Sequence, residues 1–190
     1  MGKILILLLA LFVTACTSTE KQMLHKDLWA FDGAKNDPQV DDLLAPLITD
    51  YEGMLKSLAK NDTSALFGIA KSLALRCDTL PNLIQIKDSV IQRNLQLGLM
   101  NFEDELQGLV LEQYTNDIHF SIHMAGVQLL HLLGSFGYKK QNIYIFNTLD
   151  NKPNVEEDGM IWLALTKKSI NPYYNINNQL VIANNILQEN

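Results

Sequence analysis

Cysteine is scarce in this chain, which has only Cys16 and Cys77 among its 190 residues. Cys16 is predicted below to carry lipid, so Cys77 is the single remaining thiol. This excludes an intrachain disulfide even in an oxidising compartment. An unpaired cysteine among apolar residues is more often buried than reactive. We therefore interpret Cys77 as a small core residue on one face of a helix.

Positive charge is also sparse, with 15 Lys and Arg against 21 Asp and Glu and a formal net charge of −6. A domain with this balance lacks the basic surface that nucleic acid requires, so nucleic acid is excluded as a default partner. The chain has no ordered Ser-His-Asp set, glycine-rich phosphate loop, paired-cysteine motif or His-Glu-x-x-His motif. These absences argue against a cofactor, and they leave an enzyme of unknown type as the third hypothesis for function.

The apolar run at residues 4–13 follows Lys3 and is too short to span a membrane, but it has the length of a signal peptide. Residues 13–16, Val-Thr-Ala-Cys, resemble the lipobox at which bacterial lipoproteins are acylated and cleaved before the cysteine. We therefore predict that Cys16 is the site of lipid attachment.

The predicted cleavage divides the chain into a signal peptide (1–15), a lipidated N-terminus with a polar linker (16–36) and one helical domain (37–190). The expected location is the cell envelope, where the lipid anchor holds the domain at a membrane. Thr17 is not the aspartate that retains some lipoproteins in the inner membrane, so we expect the periplasmic side of the outer membrane.

The first part of the domain has the spacing of an amphipathic helix. Asp37 and Pro38 are typical of an N-cap and a first helical position, while Pro46 is expected to kink or restart the helix. Polar residues 61–64 break the pattern and supply capping oxygens for a second, antiparallel helix. The apolar positions are Val40, Leu44, Leu47, Tyr51, Met54 and Leu58 in the first helix, and Leu66, Ile69, Leu73 and Cys77 in the second.

The pattern is less regular further along the chain. Pro81 is predicted to open a third segment, and Asn101 to cap a helical stretch that reaches Gly137 with at most one break, near residues 116–117. Residues 179–188 are predicted to close the chain with a short helix.

Between these helices, residues 143–146 and 160–165 are apolar and rich in β-branched and aromatic side chains, which favours a small hairpin or two extended arms. We therefore predict a mainly α fold. Its architecture is expected to be an up-and-down bundle of about four to five helices, with a small extended or β-hairpin region near the C-terminus.

Two histidines and a methionine in the long helix are the weak candidates for a metal site. His119 and His123 are four residues apart, so their side chains share one flank of the helix, and Met124 is adjacent. Two imidazoles without further ligands hold a metal poorly. We predict solvated or partly covered histidines and no metal centre.

The same helix has apolar side chains on the side away from its main stripe: Phe120, Met124, Val127 and Leu130. A helix that is apolar almost all round is either enclosed by neighbouring elements or presents a surface to a partner. Enclosure is the favoured interpretation, and an interaction face is the alternative.

A resemblance to a known family begins at Trp162. Residues 161–163 (Ile-Trp-Leu), a short charged spacer, and then Ile170, Asn171, Pro172 and Tyr173 resemble the closing signature of domain of unknown function 3347, a family of exported Bacteroidetes proteins. Residues 51–62 are similar to that family's first helix, and residues 117–137 to its last long helix. Residues 81–101 look like additional material.

Members of that family also occur fused to the periplasmic adaptor subunits of copper and silver efflux pumps, so the resemblance implies a role in heavy-metal handling. Its soft ligands, a Cys-Pro-Met element before the tryptophan and Met and Cys after the Asn-Pro-Tyr turn, are missing here. The resemblance therefore carries over the fold and not the metal site.

The sequence thus supports two leading hypotheses. The first is a non-enzymatic lipoprotein whose helical domain binds a small ligand or a protein of the cell envelope, such as an efflux component. The second is a periplasmic chaperone for copper or another heavy metal that uses His119 and His123.

Overall fold

The computed structural model describes residues 37–83, 86–148, 159–173, 180–182 and 185–186. The predicted signal peptide, Cys16 and the predicted linker lie outside these residues. The described part contains four helices: α1 (Pro38–Ala59), α2 (Thr63–Leu83), α3 (Ser89–Leu111) and α4 (Thr115–Ser135). Its strands are β1 (Tyr144–Asn147), β2 (Ile161–Ala164), β3 (Lys168–Ile170), β4 (Leu180–Ile182) and β5 (Asn185–Ile186). The predicted fold class is confirmed.

Helix α1 has the ends that its sequence predicts. The backbone N–H of Gln39 donates to Asp37 Oδ1 (2.9 Å), and Pro38 occupies the first helical position. At the other end Asn61 has a φ of 56°, and the N–H of Asp62 donates to the carbonyl of Ser57 (3.0 Å), which closes the helix with a left-handed residue. The helix is continuous through Pro46, so this proline does not restart it.

Two predicted boundaries in the middle of the chain are wrong. Pro81 does not open a segment; it lies in the last turn of α2, which continues to Leu83, and its otherwise free carbonyl accepts from Gln92 Nε2 (3.2 Å). Asn101 lies inside α3 rather than at a cap, since the N-cap is Asp88, whose carboxylate accepts from the N–H groups of Val90 and Ile91. The break before α4 falls at residues 112–114.

The buried spacing of α3 explains why it runs on through residue 98. Leu95, Leu99 and Phe102 face the core, whereas Leu97 is exposed, so the three alternating leucines follow a helical and not an extended pattern. Gly98 lets α3 approach α4 closely, since a Cβ there would lie 2.6 Å from the Cδ1 atom of Leu132. Residues 89–101 are thus part of the helical bundle.

Consecutive helices pack against each other in antiparallel pairs, which gives the predicted up-and-down order. In each pair, contacts move forward along one helix as they move back along the next. The pairs are Asp50 with Arg76 and Gly53 with Ile69 (α1 and α2), Pro81 with Gln92 and the electrostatic neighbours Cys77 and Glu103 (α2 and α3), and Gly98 with Leu132 and Glu112 with Ser121 (α3 and α4).

Helices α1 and α4 close the bundle less tightly, and the strands cover the gap between them. The N–H of Lys139, just after α4, donates to Asp41 Oδ2 near the start of α1 (3.1 Å). Strand β2 packs on both helices and is buried at all four residues. The strand layer thus completes a core that the four helices leave open along one side.

The strands form two small antiparallel sheets. In the first the order is β2-β1-β5, with Phe146 opposite Trp162; in the second β3 pairs with β4. The predicted helix at residues 179–188 is wrong where the structure describes it, because residues 180–182 and 185–186 are strands. Val181 and Ile182 are β-branched, and their backbone completes the ladder of β3.

Among the described residues, no helix combines the length and the apolar character that crossing a bilayer requires.

Candidate functional site

The tightest meeting of α1, α4 and β2 is at Gly126. A Cβ on this residue would clash with the hydroxyl of Tyr51, would lie 3.3 Å from Tyr51 Cζ and would be 3.7 Å from the carbonyl oxygen of Ile161. Glycine is therefore needed for close approach and not for an unusual backbone angle. We refer to Tyr51, Gly126, Ile161 and Tyr173 as the tyrosine junction.

Two buried phenols form the polar centre of the tyrosine junction. The Tyr173 hydroxyl donates to the carbonyl of Ile161 (2.7 Å), and the Tyr51 hydroxyl donates to the carbonyl of Ile122 over a long 3.5 Å. Burial raises the pKa of both phenols well above the ordinary value. Both therefore stay protonated and serve as hydrogen-bond donors: Tyr51 joins α1 to α4, and Tyr173 joins the turn after β3 to β2.

Trp162 fills the space beside this junction and is completely buried. Its ring stacks on Phe146 of the neighbouring strand, with centroids 5.0 Å apart, and meets the edge of Tyr173 at 6.0 Å. Its indole Nε1 donates to Ser169 Oγ (3.3 Å), so the buried N–H is not left without an acceptor.

The predicted turn after β3 places Tyr173 in this cluster. The N–H of Tyr173 donates to Asn171 Oδ1 (2.9 Å), an Asx-type turn, and Pro172 is buried. The four residues that carry the family resemblance, Trp162, Asn171, Pro172 and Tyr173, are thus brought together, and their roles here are in packing and turn formation.

The two candidate histidines both face the strand layer, but they do not share a ligand position. His123 Nδ1 accepts the N–H of Ile161 (3.0 Å), which commits that nitrogen to holding β2 on α4. The His119 ring meets the edge of Tyr173 at 5.6 Å, and partial burial lowers the pKa of His119. The structure thus gives the two rings separate positions at the helix–strand boundary.

Within the described ranges, no group of three or more His, Cys, Asp or Glu side chains is arranged to hold a metal ion. Met124, the third weak candidate, is only partly buried on α4. Cys77 is buried between α2 and α3, and burial, with Glu103 as a second cause, raises the pKa of its thiol to about 12. The thiol is therefore protonated and shielded, as its predicted core position requires.

The outward side of α4 divides into two parts. Leu130 is fully buried, so it is enclosed and does not belong to an exposed face. Phe120 is 59% exposed, while Met124 and Val127 are partly exposed. We refer to Phe120, Met124 and Val127 as the α4 face. These three residues are the members of the predicted four-residue interaction face that are not buried.

Tyr51 and Gly126 were not identified as site residues from sequence. Tyr51 is one of several apolar-stripe positions of α1, and nothing in its spacing shows that its hydroxyl meets a residue 75 positions away. The available signal was Gly126 itself, a glycine within a long apolar helix, which often marks a close approach of another element.

Comparisons with protein-family models, with curated proteins and with solved structures return no match. The resemblance to domain of unknown function 3347 accordingly stays a prediction.

Proposed function

We propose that this protein is a lipid-anchored component of the cell envelope whose helical domain binds another protein through the α4 face. Its acylated Cys16 would hold it at a membrane, with the periplasmic side of the outer membrane as the expected location. The proposed role is binding and not catalysis, and it includes no metal or cofactor. A component of a heavy-metal efflux system is the partner class that the family resemblance implies.

The observation that carries the binding role is the exposure of Phe120, an aromatic side chain of a type that is enriched in protein interfaces and is costly to leave in water. Met124 and Val127 extend the apolar surface by two turns along α4. Aromatic residues and methionine are the side chains that the centres of such interfaces prefer. The patch is small, so the expected complex is weak or transient.

The position of the α4 face suits an anchored protein. The chain enters the domain at Asp37, and α1 is 22 residues long, about 33 Å. Because α4 runs antiparallel to α1, with Lys139 beside Asp41, Phe120 lies toward the far end of α1. The face is thus displaced along the bundle from Asp37, the first described residue of the domain.

The copper-chaperone alternative depends on His119 and His123. The engagement of His123 Nδ1 by the backbone of β2 does not favour it. We therefore make no second proposal.

The anchor is tested by replacing Cys16→Ser and fractionating the cells. The variant is expected to lose the lipid mass and to leave the membrane fraction, while a Cys77→Ala control keeps both. Membrane retention and acylation of the Cys16→Ser protein would exclude the anchor.

The binding role is tested by placing a photo-crosslinking amino acid at Phe120, with Leu75 of α2 as a matched control. Leu75 is also apolar and well exposed, at 65%, but lies on another helix. Irradiation of whole cells is expected to give a discrete crosslinked product from position 120 that is missing from position 75. Equal products from both positions, or none from position 120, would contradict a specific interface at the α4 face.

A further inference from the structure

Helix α3 carries a second apolar stripe on the side opposite its buried one. Residues at alternating spacings of three and four, as in the seam of a coiled coil, lie along this side. We refer to them as the α3 seam: Val90, Arg93, Leu97, Met100, Asp104, Gln107 and Leu111. The apolar members are exposed at 64% (Val90), 45% (Leu97), 48% (Met100) and 79% (Leu111). No described element covers them.

The positions from Val90 to Gln107 in the α3 seam are spaced symmetrically about a midpoint between residues 98 and 99. Leu97 and Met100 flank this midpoint; Arg93 precedes Leu97 by four residues, and Asp104 follows Met100 by four. Both charged side chains are exposed, and neither forms an ion pair with a described residue. Opposite charges thus stand at equal distances on either side of an apolar centre.

This pattern is self-complementary under a twofold rotation. If a second copy of α3 lies antiparallel across the seam, Leu97 of each copy faces Met100 of the other, and Arg93 of each faces Asp104 of the other. A parallel arrangement would instead place Arg93 against Arg93 and Asp104 against Asp104, which is repulsive. Charge therefore selects the antiparallel arrangement.

We propose that the α3 seam is a homodimer interface, in which two copies of this chain pair antiparallel about a twofold axis near Gly98 and Leu99. The proposal is independent of the partner-binding role of the α4 face, which lies on another helix. It brings the exposed Leu97 of each copy against the exposed Met100 of the other, and it gives Arg93 and Asp104 an ion-pair partner.

The size of the interface sets the expected affinity. Helix α3 has 23 residues and is about 35 Å long, and a face about 10 Å wide buries on the order of 350 Å² per copy. This is below the standard size of a stable interface. We therefore expect a reversible dimer with a Kd of about 1–100 μM. Two copies held on one membrane would associate more readily than free copies, because their effective concentration is raised.

The test exchanges the charges of the α3 seam. Sedimentation velocity of the detergent-solubilised full chain over a dilution series should show a monomer–dimer equilibrium. Arg93→Asp and Asp104→Arg, each alone, place like charges in both symmetric pairs and should weaken dimerisation at least 10-fold. A mixture of these two variants restores both attractive pairs, as does the double variant in which the charges are exchanged within one chain. Both should recover the wild-type affinity.

Fold and micelle controls are contained in the same series. The wild type, the two single variants and the double variant carry the same N-terminus. Association caused only by two chains sharing one detergent micelle would therefore be the same in every sample. Both positions are exposed, so thermal unfolding should be unchanged. A monomeric wild type at concentrations above 100 μM would overturn the proposal. So would single variants that associate as the wild type does, or a mixture that fails to recover.

Discussion

The tyrosine junction gives the sharpest test of how this fold is held together, through the substitution Gly126→Ala. Residue 126 is in the interior of α4, where alanine is intrinsically about 1 kcal/mol better than glycine. The added Cβ would, however, clash with the hydroxyl of Tyr51 and press on Cζ at 3.3 Å. Tyr51 is fully buried and its hydroxyl is bonded to Ile122, so it has no free rotamer to adopt.

Overpacking of this kind costs about 1–3 kcal/mol, and a lost hydrogen bond in the junction adds about 1 kcal/mol. When the gain in helix propensity is subtracted from these costs, we expect Gly126→Ala to lower the free energy of unfolding by about 1–3 kcal/mol. In a domain of this size, that corresponds to a Tm lower by about 2–12 °C.

The matched control is Gly108→Ala, also inside a long helix. A Cβ at residue 108 would meet nothing within 4 Å, so the propensity gain is unopposed and stability should rise by up to about 1 kcal/mol. Urea unfolding followed by far-UV circular dichroism measures both variants. The same chemical change should thus have opposite signs at the two sites.

A double-mutant cycle then separates the clash from other effects. Tyr51→Phe removes the hydroxyl that the new methyl group meets, so Gly126→Ala should cost at least about 1 kcal/mol less in that background. If Gly126→Ala is as stable as the wild type, or costs the same with and without the Tyr51 hydroxyl, the close approach at the tyrosine junction is refuted.

Four further expectations follow from the described residues. Trp162→Ala should lower the free energy of unfolding by about 3–5 kcal/mol, since it empties a completely buried aromatic site, and a change under about 1 kcal/mol in denaturant would contradict that packing. Cys77 should react with a thiol reagent only as fast as the protein unfolds, because burial raises its pKa to about 12; rapid labelling of the native protein would show an open thiol. The pKa of His119 is lower in the folded protein, so as pH falls through about 6.5 the unfolded chain takes up the proton first. The free energy of unfolding should therefore decrease as pH falls, until the pKa of His119 in the folded protein is passed. In urea titrations at several pH values, His119→Gln should flatten this dependence. Titration with Cu(I) or Zn(II) should give no complex tighter than about micromolar, and a stoichiometric submicromolar complex that disappears on joint replacement of His119 and His123 by alanine would establish the chaperone alternative.

Much of the helical part of this fold was predictable because its signals are local. The Asp37 and Pro38 start, the residue 61–64 turn and the buried stripe of α1 depend on side chains and backbone groups within one or two turns of each other. The class of fold follows from such patterns, since antiparallel packing is what short connections between long amphipathic helices require.

Where local signals compete, the sequence alone predicts the wrong helix boundaries. Pro81 and Asn101 both have the chemistry of a helix boundary, yet one lies in a last turn and the other inside a helix. The backbone in these regions follows the continuous buried faces of α2 and α3, because burying Leu95, Leu99 and Phe102 outweighs the modest preference of one asparagine for a cap.

The candidate site was decided by tertiary structure alone. His119 and His123 are on one flank of α4 by helical geometry, as the sequence predicts, but the binding of His123 Nδ1 to the backbone of β2 is fixed by an element 38 residues away. The same is true of Leu130, whose apolar character is visible in the sequence while its burial is not. The periodicity of the sequence determines which residues share a face of a helix. Only the packing of α1, α4 and the strands decides which of those faces is buried, because burial depends on contacts between residues far apart in the chain.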